Sequence, residues 1–128
     1  MEEKITCPFC NIPIERIALL AKYWMATFDQ YPVSPGHMLL IPKRHCKTFF
    51  DLNKSELDEL SDFIFQAKEY LANRLPKKPD GYNIGCNCGE AAGQTVMHMH
   101  MHLIPRYAGD VENPRGGVRG VIPNKQKY

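Results

Sequence analysis

No stretch of this sequence approaches the roughly 20 consecutive apolar residues that a membrane-spanning helix needs. Its opening, Met1-Glu2-Glu3-Lys4, is charged with no apolar region behind it. A secretory leader is therefore not expected, and a cytoplasmic location is. The cysteine count, five, is odd, which argues against a closed disulfide framework. In a reducing compartment, closely spaced thiols more often bind metal or pack in a core. The formal charge is only +2, too small to point to wholesale nucleic-acid binding. Repeats and low-complexity segments are also missing. What remains is an ordinary globular composition, 44% apolar and 23% charged over 128 residues. That is enough for one domain with a real core and too little for two.

Basic residues concentrate at Lys43, Arg44 and Lys47, and again at Arg106, Arg115, Arg119, Lys125 and Lys127. A solvated surface and a phosphate-attracting rim both account for them. Residues 17–28 read as two short strands meeting near Lys22-Tyr23, with a helix as the alternative. Turn chemistry over residues 32–36 leads into an apolar strand over residues 38–41 that Pro42 ends. A helix is predicted over residues 54–75, started by Asn53 with Glu56 and stopped by Pro76 and Pro79. Its apolar stripe is Leu57, Leu60, Ile64, Ala67 and Leu71. Residues 82–87 form a strand, 89–93 a loop and 96–104 the last long strand. Strands, one long helix, then strands is an α+β pattern with links suited to antiparallel pairing.

Three of the five histidines stand at positions 98, 100 and 102. On a strand all three point the same way, about 6.6–6.8 Å apart. Met97, Met99, Met101 and Leu103 then form a wall on the other face. A row of imidazoles makes a poor core, because each ring carries two nitrogens needing partners. Satisfied structural histidines, a metal site, and a phosphate site with one nucleophilic ring are the three readings. Spacing alone does not choose between the last two. Upstream, Asn87-Cys-Gly89-Glu-Ala-Ala-Gly93-Gln94-Thr95 supplies a glycine-rich loop with amide and hydroxyl donors. Such a loop lets backbone N–H groups approach an anion and favours phosphate. It is not a P-loop, since the lysine is missing and the glycine spacing is one short.

Residues 93–104, Gly-Gln-Thr-Val-Met-His-Met-His-Met-His-Leu-Ile, resemble the signature of the histidine triad superfamily. Phe28-Asp29, Ser34-Pro35-Gly36-His37, Pro42-Lys43-Arg44-His45, the long helix and Asn87-x-Gly89 follow in that family's order. The resemblance spans roughly residues 7–107, a usual single-domain size. It implies an α+β fold with an antiparallel sheet of about five strands, one long helix and a sheet extended across a homodimer. It places a domain over residues 1–107 and leaves 108–128 as an arm of the same unit or a rim to the site. It implies chemistry on nucleoside monophosphate groups, from dinucleoside polyphosphates, phosphoramidates and similar substrates. His100 would be the nucleophile that forms a nucleotidyl-histidine intermediate. His102 and His37 would contact phosphate oxygens or assist the leaving group, and His98 would hold the strand or ligate metal. Asp29 would bind ribose hydroxyls, with a plain turn residue as the alternative. Asn87, Gly93, Gln94 and Thr95 would lie on the phosphate side.

Cys7-Pro-Phe-Cys10 has the spacing of a zinc half-site, which needs two further ligands. In zinc-bearing branches of the superfamily these are a histidine after the Pro-Lys motif and the first triad histidine, here His45 and His98. The resemblance thus implies a closed, structural Cys7, Cys10, His45, His98 set. Cys86 and Cys88 are core thiols or a minor redox pair; Cys46 is uninformative. Several phosphoramidate-cleaving relatives carry a tryptophan near the C-terminus, whereas the one tryptophan here is Trp24. The Gly-Gln-Thr-Val approach and Leu-Ile-Pro-Arg exit look more like dinucleoside polyphosphate hydrolases. Arg115 or Arg119 would reach the leaving phosphates, or belong to a solvated tail. A transferase or phosphorylase, and a binding module without turnover, are the other functions weighed. A small-molecule nucleotide is the expected partner, with no organic cofactor and no membrane.

Overall fold

A computed structural model describes residues 2–128. A short helix α1 (Glu2–Thr6) precedes strands β1 (Ile17–Leu20), β2 (Trp24–Phe28) and β3 (Met38–Pro42). The long helix α2 (Lys54–Arg74) crosses to β4 (Gly81–Gly85), and β5 (Met101–Arg106) closes the sheet. The strands lie in the order β1-β2-β3-β5-β4, and every neighbouring pair is antiparallel. Residues 17–28 are two strands, as the sequence suggests. The turn between them is closed by Ala21 N–H donating to the Trp24 carbonyl at 2.9 Å.

One face of the sheet carries the core. Trp24 and Ala26 from β2, Met38 and Leu40 from β3, and Met101 and Leu103 from β5 pack with Leu60, Phe63, Ala67 and Leu71 of α2. The helix begins with the expected reciprocal cap: Glu56 N–H donates to Asn53 Oδ1, and Asn53 N–H donates to Glu56 Oε1, each at 2.9 Å. Its buried stripe is Glu56, Leu60, Phe63, Ala67 and Leu71. Leu57 is exposed and Ile64 half-buried, so the stripe starts one residue earlier than the apolar pattern suggests. The cause is Glu56, whose buried carboxylate takes a two-point hydrogen bond from Arg44. Apolar counting passes over an ion-paired acid.

The last strand also starts late, at Met101 rather than near Val96. Residues 96–100 carry no ladder, and the chain bends over residues 96–98. The pairing of β3 with β5 runs only from Met38↔Leu103 to Leu40↔Met101. Past it stands Pro42, which has no N–H to offer. Its carbonyl is taken by the His98 ring, Nε2 donating at 2.8 Å. Met99 N–H turns instead to the Cys46 carbonyl at 2.7 Å. Met99, Met101 and Leu103 still form the buried wall, with Met97 only half-buried. The rings of His100 and His102 stay neighbours, their centroids 5.4 Å apart.

Candidate active site and metal centre

The sheet register builds the first cluster. Thr27 faces Leu39 and Phe28 faces Met38, so Asp29 and His37 meet where that ladder ends. Asp29 N–H donates there to the His37 carbonyl at 2.9 Å. Leu39 in turn faces His102 across β3 and β5. His37, one residue before β3, falls on the same side as Leu39 by strand alternation, which brings the His37 and His102 rings together. His37 Nε2 lies 2.9 Å from His102 Nδ1 and 3.4 Å from Asp29 Oδ2. His37 Nδ1 accepts from Val33 N–H at 3.2 Å. Burial holds the His37 imidazole below its usual value, against the pull of Asp29. Burial does the same to His102, helped by His100 and His37.

These contacts fix tautomers. A neutral ring that accepts at Nδ1 carries its proton at Nε2. His37 Nε2–H then donates to His102 Nδ1, which leaves His102 with an N–H donor at Nε2. His100 is set the other way. Its Nδ1–H donates to the His98 carbonyl at 2.8 Å, so Nε2 keeps its lone pair. Two adjacent half-buried rings thus present a nucleophilic nitrogen and a donor. Asp29 accepts from Tyr31 N–H at Oδ1, 2.8 Å, as a turn residue does, while its other oxygen leans on His37. A cleft of about 430 Å³ beside it is lined by Phe28, Asp29, Pro32 and Val33.

Asp29, His37 and His102 are close enough together to hold a cation, but their outer contacts oppose one. A metal on His37 Nε2 would need the proton at Nδ1, where the Val33 N–H already points. The second cluster is the reverse. Cys7, Cys10, His45 and His98 offer four ligand atoms within 4.8 Å of one another. Cys10 Sγ is 3.1 Å from His45 Nδ1 and 3.4 Å from His98 Nδ1, and the two ring nitrogens are 3.2 Å apart. Tetrahedral bonds of about 2.0–2.3 Å put such atoms about 3.3–3.6 Å apart. His98 Nε2–H donates to the Pro42 carbonyl, the outer contact a metal-bound imidazole wants. Burial and the neighbouring Cys7 push the Cys10 thiol up to about 11. These four residues could bind a metal ion, and they fit one.

Phe9, between the two cysteines, stands at the junction of the clusters. Its ring meets His100 edge-on with centroids 4.8 Å apart, and His98 at 6.1 Å. Sequence reasoning passed over it; the only signal was an aromatic residue inside the half-site.

The glycine-rich loop has left-handed glycines at both ends, Gly89 at φ 93° and Gly93 at φ 92°. A side chain at Gly93 would also approach the Asn87 amide. Gln94 is buried, with its amide committed to backbone: it accepts from Gly89 N–H at 2.8 Å and donates to the Lys47 and Val96 carbonyls. It braces the loop. Thr95 is exposed and lines a cleft of about 380 Å³ with His45 and Lys47.

Several basic residues have partners within the chain. Arg44 pairs with Glu56, and Arg106 with Asp110 and Asn83. Arg119 donates to the Lys125 and Gln126 carbonyls, and both it and Arg115 stack on Tyr128. A cavity of about 600 Å³ lies between this tail, residues 33–35 and the β4–β5 edge, with no histidine in its lining. The Cys86 and Cys88 sulfurs are 4.0 Å apart, and burial pushes Cys86 up to about 11. That suits a packing thiol. Among the described residues, no helix is long and apolar enough to cross a membrane.

A sheet of this order with its histidines so placed defines a class, and comparison with known proteins names it. Residues 15–109 match the HIT domain, and the chain belongs to the histidine triad family. An uncharacterized HIT-like protein of Methanocaldococcus jannaschii is 39% identical over 110 residues, 83% of each chain. The AP-4-A phosphorylase of Mycobacterium tuberculosis is 36% identical over 109 residues, 80% of this chain and 55% of its own length. Among solved structures, a HIT family hydrolase from Clostridium thermocellum superposes with a TM-score of 0.63 at 38% identity. That match covers 78% of this chain and 90% of the other.

Proposed function

We propose that the chain is a nucleotide hydrolase cleaving at the α-phosphate of dinucleoside polyphosphates or related nucleotides, through a nucleotidyl-histidine on His100. One observation carries this reading: the His98 carbonyl holds the proton of His100 on Nδ1 and leaves Nε2 bare. That nitrogen attacks phosphorus and forms a P–N bond as the P–O bond to the leaving polyphosphate breaks. The His102 N–H stands beside the attacking ring, placed to bind a phosphate oxygen or protonate the leaving one. His37 and Asp29 hold His102, while Asn87, Gly93 and Thr95 lie on the phosphate side with Gln94 bracing their loop. Water attacks the intermediate, returning His100 and releasing the monophosphate. In this reading the ion at Cys7, Cys10, His45 and His98 is zinc, resident and structural. The protein works as a homodimer, with residues 108–128 as an arm of the same unit.

The phosphorylase-named relative favours a second acceptor, inorganic phosphate, for the same intermediate. The test is incubation with diadenosine tetraphosphate, with and without phosphate, followed by acid-free quenching and mass spectrometry. The expected result is a monophosphate adduct on His100. In His100→Ala both adduct and turnover disappear, the rate falling by about three orders of magnitude or more. Diphosphate product appearing only with added phosphate marks the phosphorylase. Wild-type binding without turnover would leave a nucleotide-binding module, and undiminished turnover by His100→Ala would end the mechanism.

A further inference from the structure

The His98 carbonyl fixes one nitrogen of His100 but not the plane of its ring. A single hydrogen bond through Nδ1 leaves the imidazole free to swing about its side-chain bonds. Two rings limit that swing. His102 stands on one side at 5.4 Å and Phe9 on another at 4.8 Å, each crossing His100 at 68°. His102 is itself held by His37, so the remaining freedom rests with Phe9. Phe9 is half-buried and outside the main apolar cluster. Its position is set by its neighbours, since Cys7 and Cys10 on either side both reach the His98 ring at 3.4 Å.

We propose that Phe9 is a positioning residue for the nucleophile: the Cys7–Cys10 knuckle presses its ring against His100 and keeps Nε2 aimed. An edge-on contact between aromatic rings is directional as well as attractive. Misplacing a reacting group by as little as an ångström is enough to slow a reaction sharply. The knuckle therefore acts on the reaction through contact with the ring, with no ion at the reacting atoms. This rests on the reading of His100 as nucleophile for its consequence, but not for its geometry.

The experiment compares wild type with Phe9→Ala and Phe9→Tyr at one fixed pH, with zinc supplied. Long-range proton–nitrogen correlation of the histidine side chains reads the His100 tautomer and ring order without substrate. The expected result is a single Nδ1–H form in wild type and Phe9→Tyr, and averaged signals in Phe9→Ala. With diadenosine tetraphosphate, kcat falls about tenfold or more in Phe9→Ala while KM holds within about twofold. Bound zinc and melting temperature stay at wild-type values. Should Phe9→Ala shed zinc, Phe9→Leu keeps the bulk without the ring. Retained zinc with averaged His100 signals then supports the proposal, and retained zinc with wild-type signals overturns it. A rise in KM at unchanged kcat would also overturn it, making Phe9 a nucleoside contact. Absence of turnover by the wild type would sink the hydrolase reading and leave the His100 spectra to decide this one.

Discussion

Gln94 has no spare hydrogen-bonding group facing a ligand. Its Oε1 accepts from Gly89 N–H, and its Nε2 donates to the Lys47 and Val96 carbonyls at 2.6 and 3.0 Å. From sequence, an amide after Gly93 in a glycine-rich loop reads as a donor to phosphate, because nothing in the sequence says that Lys47 will lie beside it. Gln94→Ala leaves three backbone groups unpaired in a nearly closed space. It should lower stability by about 2 kcal/mol in urea unfolding. Gln94→Glu separates bracing from phosphate binding further. A carboxylate still accepts from Gly89 but faces two carbonyls it cannot donate to, so near neutral pH the loss should match or exceed that of alanine. Wild-type stability in both variants would return Gln94 to the ligand side.

At the scale of elements, polar contacts at the first turn of α2 add to the apolar face that packs it on the sheet. Glu56 caps the helix and takes two hydrogen bonds from Arg44, and its carbonyl accepts from Trp24 Nε1 at 2.8 Å. The Arg44 hydrogen bonds hold the Glu56 carboxyl below its usual value. A depressed carboxylate stabilises the fold above the unfolded value of about 4.3. That contribution is lost as pH falls through the lower, folded value. Arg44→Ala leaves a buried carboxylate without its cation and should cost about 2 kcal/mol at pH 7. In thermal melts the gap between wild type and variant should close on acidification below about pH 4. A gap independent of pH would remove the ion pair as its cause. The helix itself was legible in the sequence, from its cap to Pro76, because capping and breaking are local. Its buried face was not, since burial of Glu56 depends on Arg44 twelve residues away. The start of β5 was hidden for the same reason: the lack of an N–H on Pro42 matters only once β3 lies beside the triad.

Across the whole molecule, the residues of chemistry were legible as types, and their partners were not. The histidine run, the Cys7-Pro-Phe-Cys10 spacing and the loop glycines are visible in the sequence. The direction of each ring proton follows only from Val33, the His98 carbonyl and the Pro42 carbonyl. The Cys7–Cys10 segment lies outside the five-stranded sheet and meets it through the ligand set: Cys7 and Cys10 at the chain's start, His45 after β3, and His98 before β5. An ion bound there joins three distant stretches of chain, so its binding energy adds directly to that of folding. A strong chelator should lower the melting temperature by about 10 °C, using linkage of about 2.7 kcal/mol at a hundredfold excess of ion over Kd. It should also open the segment before β1 to proteases, because the sheet and α2 retain their own core without it. Zinc should restore both, at one ion per chain. Cys10→Ser should start at the chelated melting temperature and respond to neither chelator nor zinc. If wild type instead melts unchanged after every ion has been removed, the four residues are a packed cluster of thiols and imidazoles that holds the knuckle through its own hydrogen bonds and the Phe9–His100 contact.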